Sequence, residues 1–317
     1  MTSKPLIAVS SCLLGQQVRF DGGHKHFRYL TEALANFFDF MPVCPEVAIG
    51  LGIPRPTIQL RRIDGDVRLV DSKDQSIDHT DAMRAFADQL MPDLGDLTAY
   101  ILKKGSPSCG MERVPIVEQD GRPRNYGGRG VFTESFKQRY PLVPTEEEGR
   151  LNDPAIRENF FERVFAWHRW QQLDPDSVSG FIEFHASHKL MLMARGSHFY
   201  RELGRQVAGV RREDLQSRRD DYIQRFMTIM AEQPSRGRQV NVLMHVMGYF
   251  KNDLNTHDKQ ELLSLFESYR AGSVPLVAPL ILLKHHLRRY PNDYLRSQHY
   301  LDPFPEQLAL RSVIHSE

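Results

Sequence analysis

Lys103-Lys104-Gly105-Ser106-Pro107-Ser108-Cys109-Gly110 is the stretch from which the fold is read. It follows a short apolar run, Ala99 to Leu102, that reads as a buried strand. The turn therefore leaves a sheet at its carboxyl end, where a thiol falls in a crevice. The only other cysteines, Cys12 and Cys44, also come directly after apolar, strand-like runs, Leu6 to Val9 and Phe40 to Val43. If the three strands are parallel neighbours, cysteines far apart in sequence converge on one face.

Outward from these runs, residues 5 to about 143 alternate strand and helix. A polar loop, Gly15 to His26, follows Cys12, then an amphipathic helix of about 12 residues ends near Phe38, completing a βαβ unit. Thr57 to Val70 alternates around Asp64-Gly65, a pair suited to a tight primed turn, and predicts a β-hairpin. A helix is expected over Ile77 to Leu90 and another near Val131 to Arg139, with a loop between Val114 and Gly130 that holds at most a short strand at Pro115 to Glu118. The segment Pro144 to Asp153, with its run Thr145-Glu146-Glu147-Glu148-Gly149, reads as an acidic, exposed connector. Beyond it the patterns are helical: Pro154 to Gln172, Ser177 to Ala194, Tyr200 to about Gly209, Leu215 to Ala231, Val240 to Phe250, Lys259 to Ala271 and Pro275 to Tyr290. The expected class is α/β, with an N-terminal Rossmann-like, mostly parallel sheet domain over residues 1–145 and an all-α domain over residues 146–317.

A length of 317 residues exceeds one comfortable core and agrees with two domains. No apolar run approaches the roughly 20 residues of a membrane span, and the N-terminus lacks the features of a secretory signal, so a soluble, cytoplasmic protein with no membrane partner is expected. The formal net charge of +1 gives no hint of nucleic acid. Three cysteines are too few for a disulfide scaffold, and no CxxC spacing marks a structural zinc ribbon.

Taken singly, each cysteine reads as a small buried hydrophobe. Three at the same topological position read as soft ligands for zinc, cuprous copper or an iron-sulfur cluster, with one coordination position left open. Cys44-Pro45-Glu46 sets a carboxylate two residues from a candidate ligand, where burial and an anionic metal-thiolate centre favour a general base. Its competing role is a first-turn helix acid that complements the dipole. Ser106 supplies a hydroxyl from the Cys109 turn, or caps that turn.

Ser11-Cys12-Leu13-Leu14-Gly15, Cys44-Pro45-Glu46 with Gly50-Leu51-Gly52-Ile53-Pro54-Arg55, and Gly105-Ser106-Pro107-Ser108-Cys109-Gly110 together resemble the bacterial thiouracil desulfidase family. The resemblance implies an oxygen-sensitive 4Fe-4S cluster held by Cys12, Cys44 and Cys109, with the fourth iron open to a thiocarbonyl sulfur. It also implies that Glu46 is the catalytic acid/base and Ser106 the assisting hydroxyl. In the second half, Phe184 to Met193, Asn241 to Phe250 and Pro275 to His286 resemble a helical domain found alone or fused behind desulfidase-like domains. The fused arrangement is similar to the group that removes sulfur from 4-thiouridine in tRNA, which implies tRNA as the partner and no protein partner.

Charge gives RNA weaker support. Arg201, Arg205, Arg211, Arg212, Arg218 and Arg219 crowd one interval, and Lys103, Lys104, Arg122, Arg124 and Arg129 add basic residues expected near the crevice mouth. Most charge runs are solvated faces. His185, His188 and His245 lack a companion carboxylate at ligand spacing and read as packed or hydrogen-bonded histidines, and the methionines Met191, Met193, Met227, Met230, Met244 and Met247 as core filler. Two further readings stay open: desulfidation of free thiouracil or thionucleosides, and a non-catalytic iron-sulfur sensor or RNA-binding protein.

Overall fold

Leu97-Thr98-Ala99-Tyr100-Ile101-Leu102 is buried at every position, as expected of a strand covered on both faces. In the computed structural model, which describes residues 4–118 and 122–313, it is the fifth of eight strands. These are β1 (Leu6–Ser10), β2 (Asp39–Val43), β3 (Ile58–Ile63), β4 (Asp66–Asp71), β5 (Leu97–Leu102), β6 (Val114–Val117), β7 (Pro123–Gly128) and β8 (Thr145–Glu147). One sheet has the order β2-β1-β5-β8, and all its pairings are parallel. The chain runs from β1 to one neighbour and later returns to the other, so strand order reverses at β1. In an open α/β sheet the crevice at the carboxyl ends opens at such a point. The three strands that precede the cysteines are adjacent there, as the sequence requires for convergence.

The second sheet, β4-β3-β6-β7, is mixed. Its β3–β4 hairpin turns at Asp64 and Gly65, both with positive φ, the geometry expected of the Asp-Gly pair. Helices α1 (Pro45–Ala48), α2 (Thr80–Leu90) and α3 (Val131–Arg139) complete the unit. The helix expected to end near Phe38 is a six-residue π-helical turn, Tyr29–Leu34. The expected loop after Val117 contains strand β7, paired antiparallel with β6 although its Gly, Arg and Pro content reads as irregular.

The acidic run is the largest correction. Thr145, Glu146 and Glu147 are not an exposed connector but buried residues of β8. Their carboxylates have fixed donors. Glu147 Oε1 accepts the Met111 N–H at 2.9 Å, and Glu146 Oε1 accepts from Arg150 Nε at 2.7 Å. The first unit runs to Asn152, within the segment Pro144 to Asp153 where the boundary is expected.

From Asp153 onward the described chain is helical: α4 (Pro154–Gln171), α5 (Val178–Ser187), α6 (Lys189–Arg195), α7 (Ser197–Val207), α8 (Leu215–Met230), α9 (Arg236–Gly248), α10 (Thr256–Arg270), α11 (Val277–Arg289) and α12 (Asp293–Arg296). The single helix expected over 177–194 breaks at His188, whose Nδ1 bonds the Phe184 carbonyl at 2.7 Å. Trp170, Phe181, Phe184, Tyr222 and Phe226 pack edge and face in the core. Beside them lies a buried ion network: Glu162 receives Arg195 and Arg311, both at 2.6 Å, and Glu158 receives Arg311 at 2.9 Å. Burial pushes Glu158 up to about 7 against the pull of Arg311. Burial also presses Glu162 upward, but the two arginines outweigh it and hold that carboxyl below its usual range. No described helix is long and apolar enough to cross a membrane.

Candidate active site

Three loops leave the carboxyl ends of β2, β1 and β5 and enclose a cavity of about 410 Å³. Cys12 reaches it from a tight turn, Ser11–Leu14, immediately after β1, and Cys44 is the residue before α1. Cys109 arrives from the turn after β5, and all three thiols line the cavity together with Glu46, Arg55 and Ser106. No disulfide forms.

The Cys109 turn is fastened on several sides. Ser106 Oγ accepts the N–H groups of Ser108 and Cys109 at 3.3 and 3.1 Å, so it does cap the turn. The Ser108 carbonyl accepts the N–H groups of Phe132 and Thr133, and Thr133 Oγ1 donates to the Cys109 carbonyl at 2.8 Å. Gly130 makes this contact possible, since a Cβ there would collide with the Ser108 carbonyl. On the opposite side Lys103 Nζ and the Lys104 N–H both donate to Glu148.

Burial raises the Cys12 and Cys44 thiols above the ordinary cysteine range. It raises Cys109 well above it, with Glu46, Cys44 and Cys12 adding negative charge nearby. Burial holds the trio protonated despite the nearby Arg19, Arg55 and Lys103, and a bound metal group would supply the stronger positive centre that makes them thiolate. A single tetrahedral ion at about 2.3 Å from each sulfur would need sulfurs roughly 3.8 Å apart. Among the described residues no set of three Cys, His, Asp or Glu side chains forms a group able to hold one ion. Three thiols on one cavity are nevertheless a soft donor set, the kind that suits a thiophilic metal group. Nothing but the cysteines offers soft donors there.

Glu46 lies in the first turn of α1, as its helix reading anticipates, but its carboxylate is committed elsewhere. Arg55 donates to Oε2 from Nη2 and from Nε at 3.2 Å. Ser108 Oγ donates to Oε1, and Ser106 Oγ approaches the same oxygen at 3.4 Å. Arg55 and Ser108 were not singled out as site residues. Arg55 had a signal in the sequence: Gly50 and Gly52 before Pro54 mark a tight return of the chain, and Gly50 takes a φ of 86° that favours glycine. Ser108 had none beyond its turn.

The basic residues divide. Lys103 and Lys104 line the cavity, Lys103 already paired with Glu148. Arg129 does not line it; it bonds the Met111 carbonyl and Glu134 instead. The side chain of Arg124 lies outside the described residues. Arg201 and Arg205 are exposed on α7, in the helical unit. Arg218 pairs with Asp214, and Arg219 is buried against Trp170. His185 bonds Tyr222 at 3.1 Å and His188 is fully buried, so both are packing histidines, whereas His245 is exposed. Met191, Met227 and Met230 are core residues; Met244 is exposed.

The profile of the 2-thiouracil desulfurase family matches residues 7–148, a span that holds the three cysteines, Glu46 and Ser106. The N-terminal unit belongs to the 2-thiouracil desulfurase family. Behind this desulfurase domain, residues 189–305 match a family of unknown function, DUF1722. The chain is 33% identical over 152 residues to the uncharacterized protein YbgA of Escherichia coli (strain K12), covering 47% of this chain and 90% of that protein. A solved structure described as the 4Fe-4S-dependent thiouracil desulfidase TudS is 32% identical, covering 47% of this chain and 94% of its own, with a TM-score of 0.37. The resemblance read from the cysteine motifs thus holds: a desulfurase domain is joined to a helical one.

Proposed function

We propose that the protein is an iron-sulfur-dependent desulfidase that removes sulfur from a thiolated pyrimidine, with 4-thiouridine in tRNA as substrate and uridine as product. The observation that carries the reading is the convergence of Cys12, Cys44 and Cys109 on one cavity that also contains Glu46. The three thiols would hold a 4Fe-4S cluster, which when bound offers a soft Lewis acid for a thiocarbonyl sulfur.

The chain's own residues supply the rest. Glu46, with one oxygen on Arg55 and the other toward the serines, is placed to take a proton from water attacking the thiocarbonyl carbon. Ser106 stands on the cavity wall, where its hydroxyl reaches substrate or that water. The loops after Cys12 and Cys44 close the cavity from the side of Val18 and Phe20.

Support for tRNA comes from the fusion to a helical unit and from its exposed Arg201 and Arg205, which suit phosphate contacts. A base within folded RNA must be extruded or unpaired before it is cut, and a module that grips the backbone would supply that energy. The second reading, turnover of free thiouracil, is favoured by the family to which the N-terminal unit belongs.

Anaerobic reconstitution, iron and acid-labile sulfide analysis, and a sulfide-release assay test the proposal. Thiolated tRNA is expected to be turned over faster than free 4-thiouracil, with a rate that falls steeply as salt rises. Salt-independent turnover of the free base alone would establish the second reading. Iron bound without sulfide release from either substrate would mark a sensor.

A further inference from the structure

Arg55 spends every nitrogen of its guanidinium. Nη1 donates to the Gly52 carbonyl at 3.1 Å, Nη2 to the Val18 carbonyl at 2.9 Å and to Glu46, and Nε to Glu46 at 3.2 Å. Its side chain is 4% exposed and that of Glu46 17%, so the guanidinium is shielded from water while the carboxylate keeps an edge on the cavity. Gly52 belongs to its own turn and Val18 to the loop after Cys12, while Glu46 follows Cys44. One planar fork therefore fixes the carboxylate in register with two cysteine-bearing loops.

We propose that Arg55 and Ser108 are the positioning residues of Glu46. Arg55 holds Oε2 against the wall, Ser108 fixes Oε1, and Ser106 is left as the hydroxyl that faces the cavity. Ser108 is fully buried and does not line the cavity, whereas Ser106 does. The proposal rests on the desulfidase reading for its kinetic consequence, but not for its structural one. Lysine cannot replace Arg55, because an ammonium lacks the fork that meets three acceptors in one plane. The competing role for Arg55 is a staple between loops, with Glu46 a bystander.

The test is a double-mutant cycle between Arg55→Ala and Glu46→Gln in the full-length, cluster-loaded protein, with iron and labile sulfide measured first. Arg55→Ala is expected to keep its iron and lose about 100-fold in kcat with KM little changed, the cost of misplacing a catalytic group. In the Glu46→Gln background the same change is expected to cost less than about threefold, since residues that act through one another are not additive. Guanidinium ion at low concentration is expected to restore part of the Arg55→Ala rate. An equal, multiplicative loss in both backgrounds, or loss of iron from Arg55→Ala, would assign Arg55 to the loops and overturn the proposal.

Hydrogen exchange on the unloaded protein gives a reading independent of turnover. Arg55→Ala and Ser108→Ala should each speed exchange around residues 46–51, and Ser108→Ala also around 105–110, with β1 unchanged. Unaltered exchange at both segments would refute the positioning roles. A wild-type protein that releases no sulfide from any thiopyrimidine would instead refute the desulfidase reading and leave the exchange result to decide this one.

Discussion

Glu46 is gripped at both oxygens, and that grip sets what single substitutions should do. Glu46→Gln keeps the shape and can keep the serine contacts, so cluster content should match wild type while kcat falls about 10²–10⁴-fold, the usual worth of a positioned acid or base. Retained turnover in Glu46→Gln would remove it from the chemistry. Cys109→Ser is expected to lower bound iron sharply, as read by labile sulfide and visible absorbance, because only Cys12 and Cys44 would remain as soft donors on the cavity. Cys12, Cys44, Cys109, Glu46 and Ser106 were all legible in the sequence because each sits beside a strand end or a turn signal. Arg55 and Ser108 were not read, for different reasons. The partner of Arg55 is nine residues away across the Gly50–Pro54 turn, and nothing in Ser106-Pro107-Ser108 says which hydroxyl points outward.

At the scale of elements, the parallel strands, the Asp-Gly hairpin and α3 follow from pattern alone, whereas β8 does not. A run of glutamates reads as solvated because water is the usual partner of a carboxylate, and pattern cannot show that Met111, Lys103 and Lys104 wait across space to replace it. Those bonds make Glu147 of β8, with Glu148 just after it, the buttress of the Cys109 turn. Glu147→Ala leaves the half-buried Met111 N–H without its acceptor, and should destabilise the unit by about 1 kcal/mol. Urea titration of the unloaded protein measures this, with faster loss of iron from the loaded one as a second readout. The break between α5 and α6 escapes the pattern in the same way, since it is fixed across space: Gln298 donates to the Ala186 carbonyl and accepts the Leu190 N–H, while the His299 N–H donates to the Ser187 carbonyl.

For the molecule as a whole, two units imply two unfolding events, and acid should separate them. Burial lowers His185 to about 4 and His188 well below the usual histidine range, and both are under one tenth exposed. Each is held neutral when folded and gains a proton when unfolded, so their contribution is complete above pH 6.5 and is lost as pH falls toward 4. His299, lowered to about 3 by burial, acts in the same sense and Glu158, raised to about 7, in the opposite one, so the net cost to the helical unit is about 2.7 kcal/mol per pH unit in that window. Urea melts at pH 7.5 and 5.5 check this, and His185→Gln should flatten the slope; a pH-independent midpoint would contradict it. The strand at Thr145–Glu147 has a practical corollary for dissecting the two halves. A gene trimmed after codon 145, where acidity invites the scissors, would strip the desulfurase sheet of its outermost rung and strand the amides and lysine that those glutamates serve. A usable N-terminal fragment has to carry on through Asn152.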